Sequence, residues 1–292
     1  MSPLPARTPS FGVLMFPTDY AIDPVRLAAA TEARGFESLF FPEHTHIPVD
    51  RRSPWPGGDE LPREYWHTHD PFVGLAMAAA VTTTLRLATG IALVTERDPI
   101  LMAKQAASLD HLSGGRLILG VGAGWNAEEM AHHGTRYEDR WKVLRERVLA
   151  MKRIWREETP EFHGEFVDFD PIWSWPKPRR AGGPPVLVGA SSPWVFARIA
   201  EYGDGWMPID GRDDALLGDG VRRLEDACGA AGRDFAEMDL SVFGVRGDAE
   251  RVRELLELGF GRIIFSLPAA DPDTVVRRLD RLAELAAGFA SA

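Results

Sequence analysis

Short β-rich runs alternate with helix-patterned stretches along this chain, and the alternation repeats eight times. The runs that read as strands cover residues 11–16, 37–41, 86–94, 116–122, 185–189, 205–209, 240–245 and 262–267. Several helix starts between them share one chemical form. Asp23-Pro24, Asp70-Pro71, Asp98-Pro99 and Asp271-Pro272 each set a capping carboxylate ahead of a proline at the first helical position. Gly35, Gly114, Gly203 and Gly259 fall where helices should stop. Eight strand–helix units in roughly 250 residues describe a parallel (β/α)8 TIM barrel, an α/β fold, with a doubly wound open sheet as the competing topology. At 292 residues, 45% of them hydrophobic, the chain has material for one such core, and the expected organisation is a single domain over residues 1–292.

Two connections are longer than barrel closure requires. Residues 42–69, after the second strand, contain Trp55, Tyr65, Trp66 and several prolines. Residues 160–184, before the fifth strand, carry Phe162, Phe166, Phe169, Trp173 and Trp175. Aromatic content of this kind argues for ordered insertions. The second reads as a hairpin over 161–169 that either packs as a lid on the outside of the barrel or helps to form the pocket. Trp55, Tyr65, Trp66, Trp173 and Trp175 suggest an apolar or aromatic pocket, with folding roles as the alternative.

Charge and cysteine content narrow the partners. A net charge of −10 without a dense Lys/Arg cluster argues against nucleic acid, since neutralising phosphates needs a basic face. The lone Cys228 excludes an internal disulfide and fits a reducing compartment. With no secretory leader at residues 1–10 and no apolar run of membrane-spanning length, the expectation is a soluble, cytoplasmic protein without membrane contact.

The chemistry of such a barrel belongs at the C-terminal ends of its strands. That rule selects Glu43 and His44, then Thr89, Gly90 and Ile91, then the corner Gly120-Val121-Gly122-Ala123-Gly124-Trp125-Asn126, then Gly189, Ala190, Ser191, Ser192 and Pro193. Glycines at a strand-to-helix corner let the backbone approach a ligand, and amides at the following helix start favour an anion. The segment after this corner reads as helix to about Trp155. A dinucleotide fingerprint usually opens a chain's first βαβ unit, so the mid-chain position speaks against one here. His44-Thr45-His46 and His67-Thr68-His69 have a spacing that metal sites use. No histidine follows His163 to complete a barrel hydrolase's ligand set, and no metal is expected. His111, His132 and His133 read as residues of helix surfaces or ends, without a role.

In these segments the chain resembles the bacterial-luciferase-like superfamily, and more closely its branch that uses the deazaflavin coenzyme F420. The resemblance is carried by Ser38-Leu39-Phe40-Phe41-Pro42-Glu43-His44, Leu87-Ala88-Thr89-Gly90-Ile91, and Ser113-Gly114-Gly115-Arg116 running into the glycine corner. Gly189-Ala190-Ser191-Ser192-Pro193 and Tyr202-Gly203-Asp204-Gly205-Trp206 complete it. Together they span about residues 11–268.

The resemblance implies that Glu43 and His44 take the catalytic places beside the reactive carbon of the coenzyme ring. A carboxylate against a histidine supports the charged imidazole, and a histidine can exchange the substrate proton that accompanies hydride transfer. It also implies a non-prolyl cis peptide at Gly90-Ile91, in a bulge of the third strand. Thr89, Gly90, Ile91, Gly122, Gly124, Trp125 and Asn126 would line the coenzyme, and Gly189, Ala190, Ser191 and Ser192 would hold its phosphate, with Pro193 as first residue of the next helix. The implied reaction is F420-dependent oxidoreduction of a small organic substrate. Two alternatives stand beside it: a flavin mononucleotide (FMN) monooxygenase fed by a separate reductase, and a coenzyme-binding protein without turnover. Relatives often form homodimers, although the helical patterns here show no decisive apolar stripe.

Overall fold

A computed structural model describes residues 8–290. In chain order the elements are β1 (Ser10–Leu14), α1 (Pro24–Glu32), β2 (Ser38–Phe41), α2 (Glu64–His67), α3 (Pro71–Val81), β3 (Arg86–Leu93), α4 (Pro99–Leu112), β4 (Leu117–Gly122), α5 (Ala127–His132) and α6 (Arg140–Arg156). There follow β5 (Phe162–His163), β6 (Asp168–Phe169), β7 (Val186–Val188), α7 (Val195–Tyr202), β8 (Gly205–Trp206), α8 (Asp214–Ala230), β9 (Asp239–Val245), α9 (Ala249–Glu257), β10 (Arg262–Ser266) and α10 (Pro272–Ala290). Eight of the strands close into a parallel barrel in the order β1-β10-β9-β8-β7-β4-β3-β2, and β5 pairs with β6 as a separate antiparallel hairpin.

The Asp-Pro signals act as caps. Asp23, Asp70, Asp98 and Asp271 accept hydrogen bonds from the amides of Arg26, Val73, Leu101 and Thr274 at 2.8–3.0 Å. Each such cap stabilises its helix by about 1 kcal/mol. Gly35 and Gly114 follow α1 and α4 at φ of 78° and 77°, the left-handed backbone that glycine adopts without strain. Gly203 ends α7 for a different reason: its φ is −87°, and a Cβ there would press on Val188 and Ile199.

Side chains alternate between two layers. Leu14, Phe40, Ala88, Ile118, Leu187, Met207 and Ile264 fill the barrel interior, while the larger set that includes Leu39, Phe41, Leu87, Leu119 and Val188 packs outward against the helices. Period two along β4 puts Gly120 and Gly122 on the same inward side as Ile118. Their missing side chains make room for neighbouring strands. A Cβ on Gly120 would meet the Thr89 carbonyl and Met207, and one on Gly122 would meet Ile91.

Three expectations need correction. The helix drawn from the glycine corner to Trp155 is two helices, because α5 stops at His132, Gly134 takes φ 78°, and the Thr135 hydroxyl bonds the Thr95 carbonyl at 2.6 Å, turning the chain before α6. The strand drawn over 205–209 keeps only Gly205 and Trp206 in the ladder. Pro208 has no N–H to donate, and pairing resumes only as a single bridge between Ile209 and Phe243. An exposed apolar line does exist, since Val73, Met77 and Val81 are four residues apart on one side of α3, with Leu101 exposed on the neighbouring α4. Among the described residues no helix is long and apolar enough to cross a membrane.

The hairpin is fastened to the outside of the barrel. Glu146 of α6 accepts the amides of Glu165, Phe166 and Val167 at 3.1, 2.7 and 3.1 Å, and Gly164 lies so close to this carboxylate that a Cβ would overlap it. Glu146→Ala should remove about 2 kcal/mol of local stability. Cleavage by a protease within 161–169 should then be roughly tenfold or more faster, with little change in global melting.

Candidate active site

Parallel closure brings the ends of β2, β3, β4 and β7 to one rim, and with them the residues selected from the sequence. His44, three residues after the end of β2, is 9% exposed. Its Nδ1 lies 2.7 Å from Oε2 of Glu129, a fully buried residue of α5. The other Glu129 oxygen accepts the Thr45 amide at 3.0 Å. His44 Nε2 makes no hydrogen bond to any described residue. With Nδ1 bonded to a carboxylate, the imidazole is oriented and Nε2 is left to exchange a proton with whatever enters.

Glu43 is committed elsewhere. Its Oε2 accepts the Leu93 amide at 2.7 Å and its Oε1 accepts Arg97 Nε at 2.6 Å. Arg97 in turn reaches Asp70 and Gln105 and lies over the Phe72 ring. The acidic partner of His44 is therefore Glu129 and not its sequence neighbour. The sequence did carry a signal for Glu129: it sits three residues after the cap Asn126, where a helix-start glutamate turns back toward the preceding chain.

The insertion after β2 covers this pair with aromatic rings. Tyr65 lies 5.1 Å from His44 and 4.6 Å from Phe16 between ring centroids, and it meets Trp55 at 5.6 Å and Trp125 at 6.5 Å. Trp125 meets the His44 ring edge-on at 5.8 Å, with the Arg51 guanidinium 5.4 Å from its indole. Burial raises the Tyr65 phenol above its ordinary range. The insertion docks on α5 through Ser53, whose hydroxyl accepts the Ala127 amide at 3.0 Å. Hydrogen bonding from Ser53 holds the Glu128 carboxyl down to about 2. Tyr65 and Trp125 thus pack around His44, with Trp55 behind Tyr65. Trp66, Trp173 and Trp175 stand apart: they are 51%, 81% and 58% exposed, and the Trp175 carbonyl accepts Lys104 on α4.

The remaining selected residues divide into floor and rim. The Gly90-Ile91 peptide is cis, and the β3–β4 register shifts between Thr89 and Ala92, as expected for a bulge. Ile91 is half-buried and fills the places that side chains on Gly122 and Gly189 would take, so these glycines admit Ile91. Thr89 is buried and donates its hydroxyl to the Gly120 carbonyl at 2.7 Å, tying β3 to β4. Gly124 turns the corner at φ 76°. Asn126 accepts the Glu129 amide at 3.3 Å as helix cap, while its buried Nδ2 finds no acceptor among the described residues. With Ala127 already bonded to Ser53, the start of α5 is less open to an anion than the glycine corner suggested.

The loop after β7 is more open. Ser191 and Ser192 are half-buried, and neither hydroxyl bonds a described residue. Pro193 lies in a turn and α7 begins two residues later, at Val195, with no side chain capping it. Ala190 is fixed by its carbonyl, which accepts Trp206 Nε1 at 3.0 Å.

Outside the pocket the structure gathers histidines that the sequence left separate. His46 and His132 stack with Nε2 2.7 Å from Nδ1, and His133 reaches the same Thr45 hydroxyl that contacts His46. Among the described residues no group of three or more His, Cys, Asp or Glu side chains could hold a metal ion.

Comparison with known proteins places the same elements in a family. The family described as luciferase-like monooxygenase matches residues 17–260. An uncharacterised protein of Mycobacterium tuberculosis is 39% identical over 276 residues, 94% of this chain and 97% of its own length. The F420-dependent hydroxymycolic acid dehydrogenase of the same organism is 29% identical over 238 residues, 79% of this chain and 61% of that protein. In fold the chain resembles a monooxygenase from Streptomyces bottropensis, with TM-score 0.79, 22% identity, and coverage of 94% and 98% of the two chains. It also resembles an F420-dependent secondary alcohol dehydrogenase, with TM-score 0.77, 18% identity, and coverage of 95% and 98%.

Proposed function

The chain belongs to the luciferase-like monooxygenase family, and from that premise we propose that it is an oxidoreductase dependent on coenzyme F420, exchanging hydride with a small organic substrate. The observation that carries the reading is the His44–Glu129 pair: a buried carboxylate binds Nδ1 of an imidazole packed against Tyr65 and Trp125 and leaves Nε2 without a partner among the described residues. Family membership alone leaves open F420 or a flavin. The dehydrogenase relative named as F420-dependent supports the deazaflavin.

The residues present fit such a coenzyme. Ser191 and Ser192, whose hydroxyls bond no described residue and lie ahead of an uncapped α7, would hold its phosphate. Half-buried Ile91 supplies an apolar floor, and the unpartnered Asn126 Nδ2 supplies a donor. Bound there, the deazaflavin supplies two-electron hydride chemistry. Phe16, Trp55, Tyr65 and Trp125 exclude water around His44, and His44 holds or releases the substrate proton at Nε2.

Titration by fluorescence quenching tests the coenzyme. Reduced F420 should bind at least about tenfold more tightly than reduced FMN, a difference of about 1.4 kcal/mol. The reverse preference replaces this reading with the FMN monooxygenase. Tight F420 binding without hydride transfer to or from any of a panel of alcohols, aldehydes and ketones replaces it with a coenzyme-binding protein.

A further inference from the structure

Three carboxyl groups meet behind His44, and the donors around them do not suffice for three anions. Glu43 has Arg97 and the Leu93 amide. Glu129 has His44 Nδ1 and the Thr45 amide. Glu96, on the turn that follows β3, has neither. It is 7% exposed, its buried Oε2 has no partner among the described residues, and its carboxyl faces that of Glu129, itself an acceptor. Two facing acceptors in a buried site repel unless one of them carries a proton. Glu129 is the one already supplied with donors.

We propose that Glu96 is a neutral carboxylic acid that donates its proton to the Glu129 carboxylate, and that it serves as the positioning residue behind the His44–Glu129 pair. The site then reads as a relay of three side chains from the ends of three adjacent strands: acid on the turn after β3, carboxylate on α5 after β4, imidazole after β2. A single negative charge is then shared between the two glutamates, less than two ionised carboxylates would place beside His44.

The surroundings agree. Burial, followed by the Glu129 and Glu43 charges, pushes the Glu96 carboxyl up to about 10, against the opposing effect of Arg97. His133 and Arg147 share a cleft of about 320 Å³ with Glu96, as do Asp98 and Asp168. Burial pushes His133 down, assisted by His46, and burial pushes Arg147 down as well.

A raised folded-state value for an acid fixes the sign of its pH dependence. The folded chain binds the Glu96 proton that the unfolded chain loses near 4.5, so this contribution is complete below that value and disappears as pH rises toward about 10. Glu96→Gln keeps the donor and removes the ionisation. At about pH 8 it should melt about 4 °C or more above the native protein, with the difference closing by about pH 5. Infrared difference spectra between the two proteins at about pH 8 should show a protonated carboxyl band present only in the native protein. Neither measurement needs coenzyme. A pH-independent melting difference, or no such band, overturns the proposal while leaving the F420 reading intact.

The positioning role rests on that reading, and kinetics test it. Glu96→Ala deprives Glu129 of a donor, strengthens its hold on the imidazolium, and should move the acid limb of kcat/KM to higher pH, with a loss of roughly tenfold or more at low pH. Glu96→Gln should restore the native limb. Identical limbs in Glu96→Ala and the native enzyme would leave Glu96 a purely structural acid.

Discussion

His44→Ala should lower hydride transfer by roughly a hundred-fold or more while leaving the affinity for reduced F420 within several-fold. That magnitude is what the loss of a positioned acid–base group costs. The asymmetry follows from placement. His44 is held by Glu129 and by the rings of Tyr65 and Trp125, whereas the proposed phosphate contacts, Ser191 and Ser192, lie after β7. Single-turnover rates separate the two effects from product release. Adding Glu129→Gln to His44→Ala should cost little further, since the glutamate acts through the imidazole. Equal losses in rate and affinity for His44→Ala would instead make His44 a coenzyme-positioning residue.

Arg97→Ala is expected to have the largest effect on stability, about 3–5 kcal/mol, because it strands a buried anion. The Glu43 side chain is only 1% exposed, and without Arg97 its remaining donor is the Leu93 amide. Asp70 and Gln105 lose the same partner. Urea denaturation should show the midpoint fall. Combining Arg97→Ala with Glu43→Gln should recover at least about 1 kcal/mol, since the uncompensated charge is then gone. A double variant no more stable than Arg97→Ala would mean that the arginine acts through its packing on Phe72 instead.

The barrel was legible because its signals are local. Period-two runs, Asp-Pro caps and glycine stops each speak for the few residues around them, and they agree with one another. Where a strand failed, at 207–209, a single proline decided it. The candidate site was legible only as positions on a rim. His44 and Ile91 lie where expected, but the pairing of His44 depends on contact between residues 85 apart in sequence. The adjacent Glu43 is the partner that proximity suggests, but its carboxylate pairs with Arg97, 54 residues on. Glu96 escaped notice because a lone glutamate beside an arginine reads as a solvated charge. Nothing in its own segment reports that two other acids will meet it.

The proton-handling groups of the proposed reaction issue from β2, β3 and β4, which are neighbours in the barrel, while the serine loop issues from β7 on the far side of β4. One arc of the barrel thus carries the proposed acid–base apparatus, and another the proposed anchorage. A change of coenzyme tail would then fall on the anchoring arc alone and leave the proposed proton relay untouched.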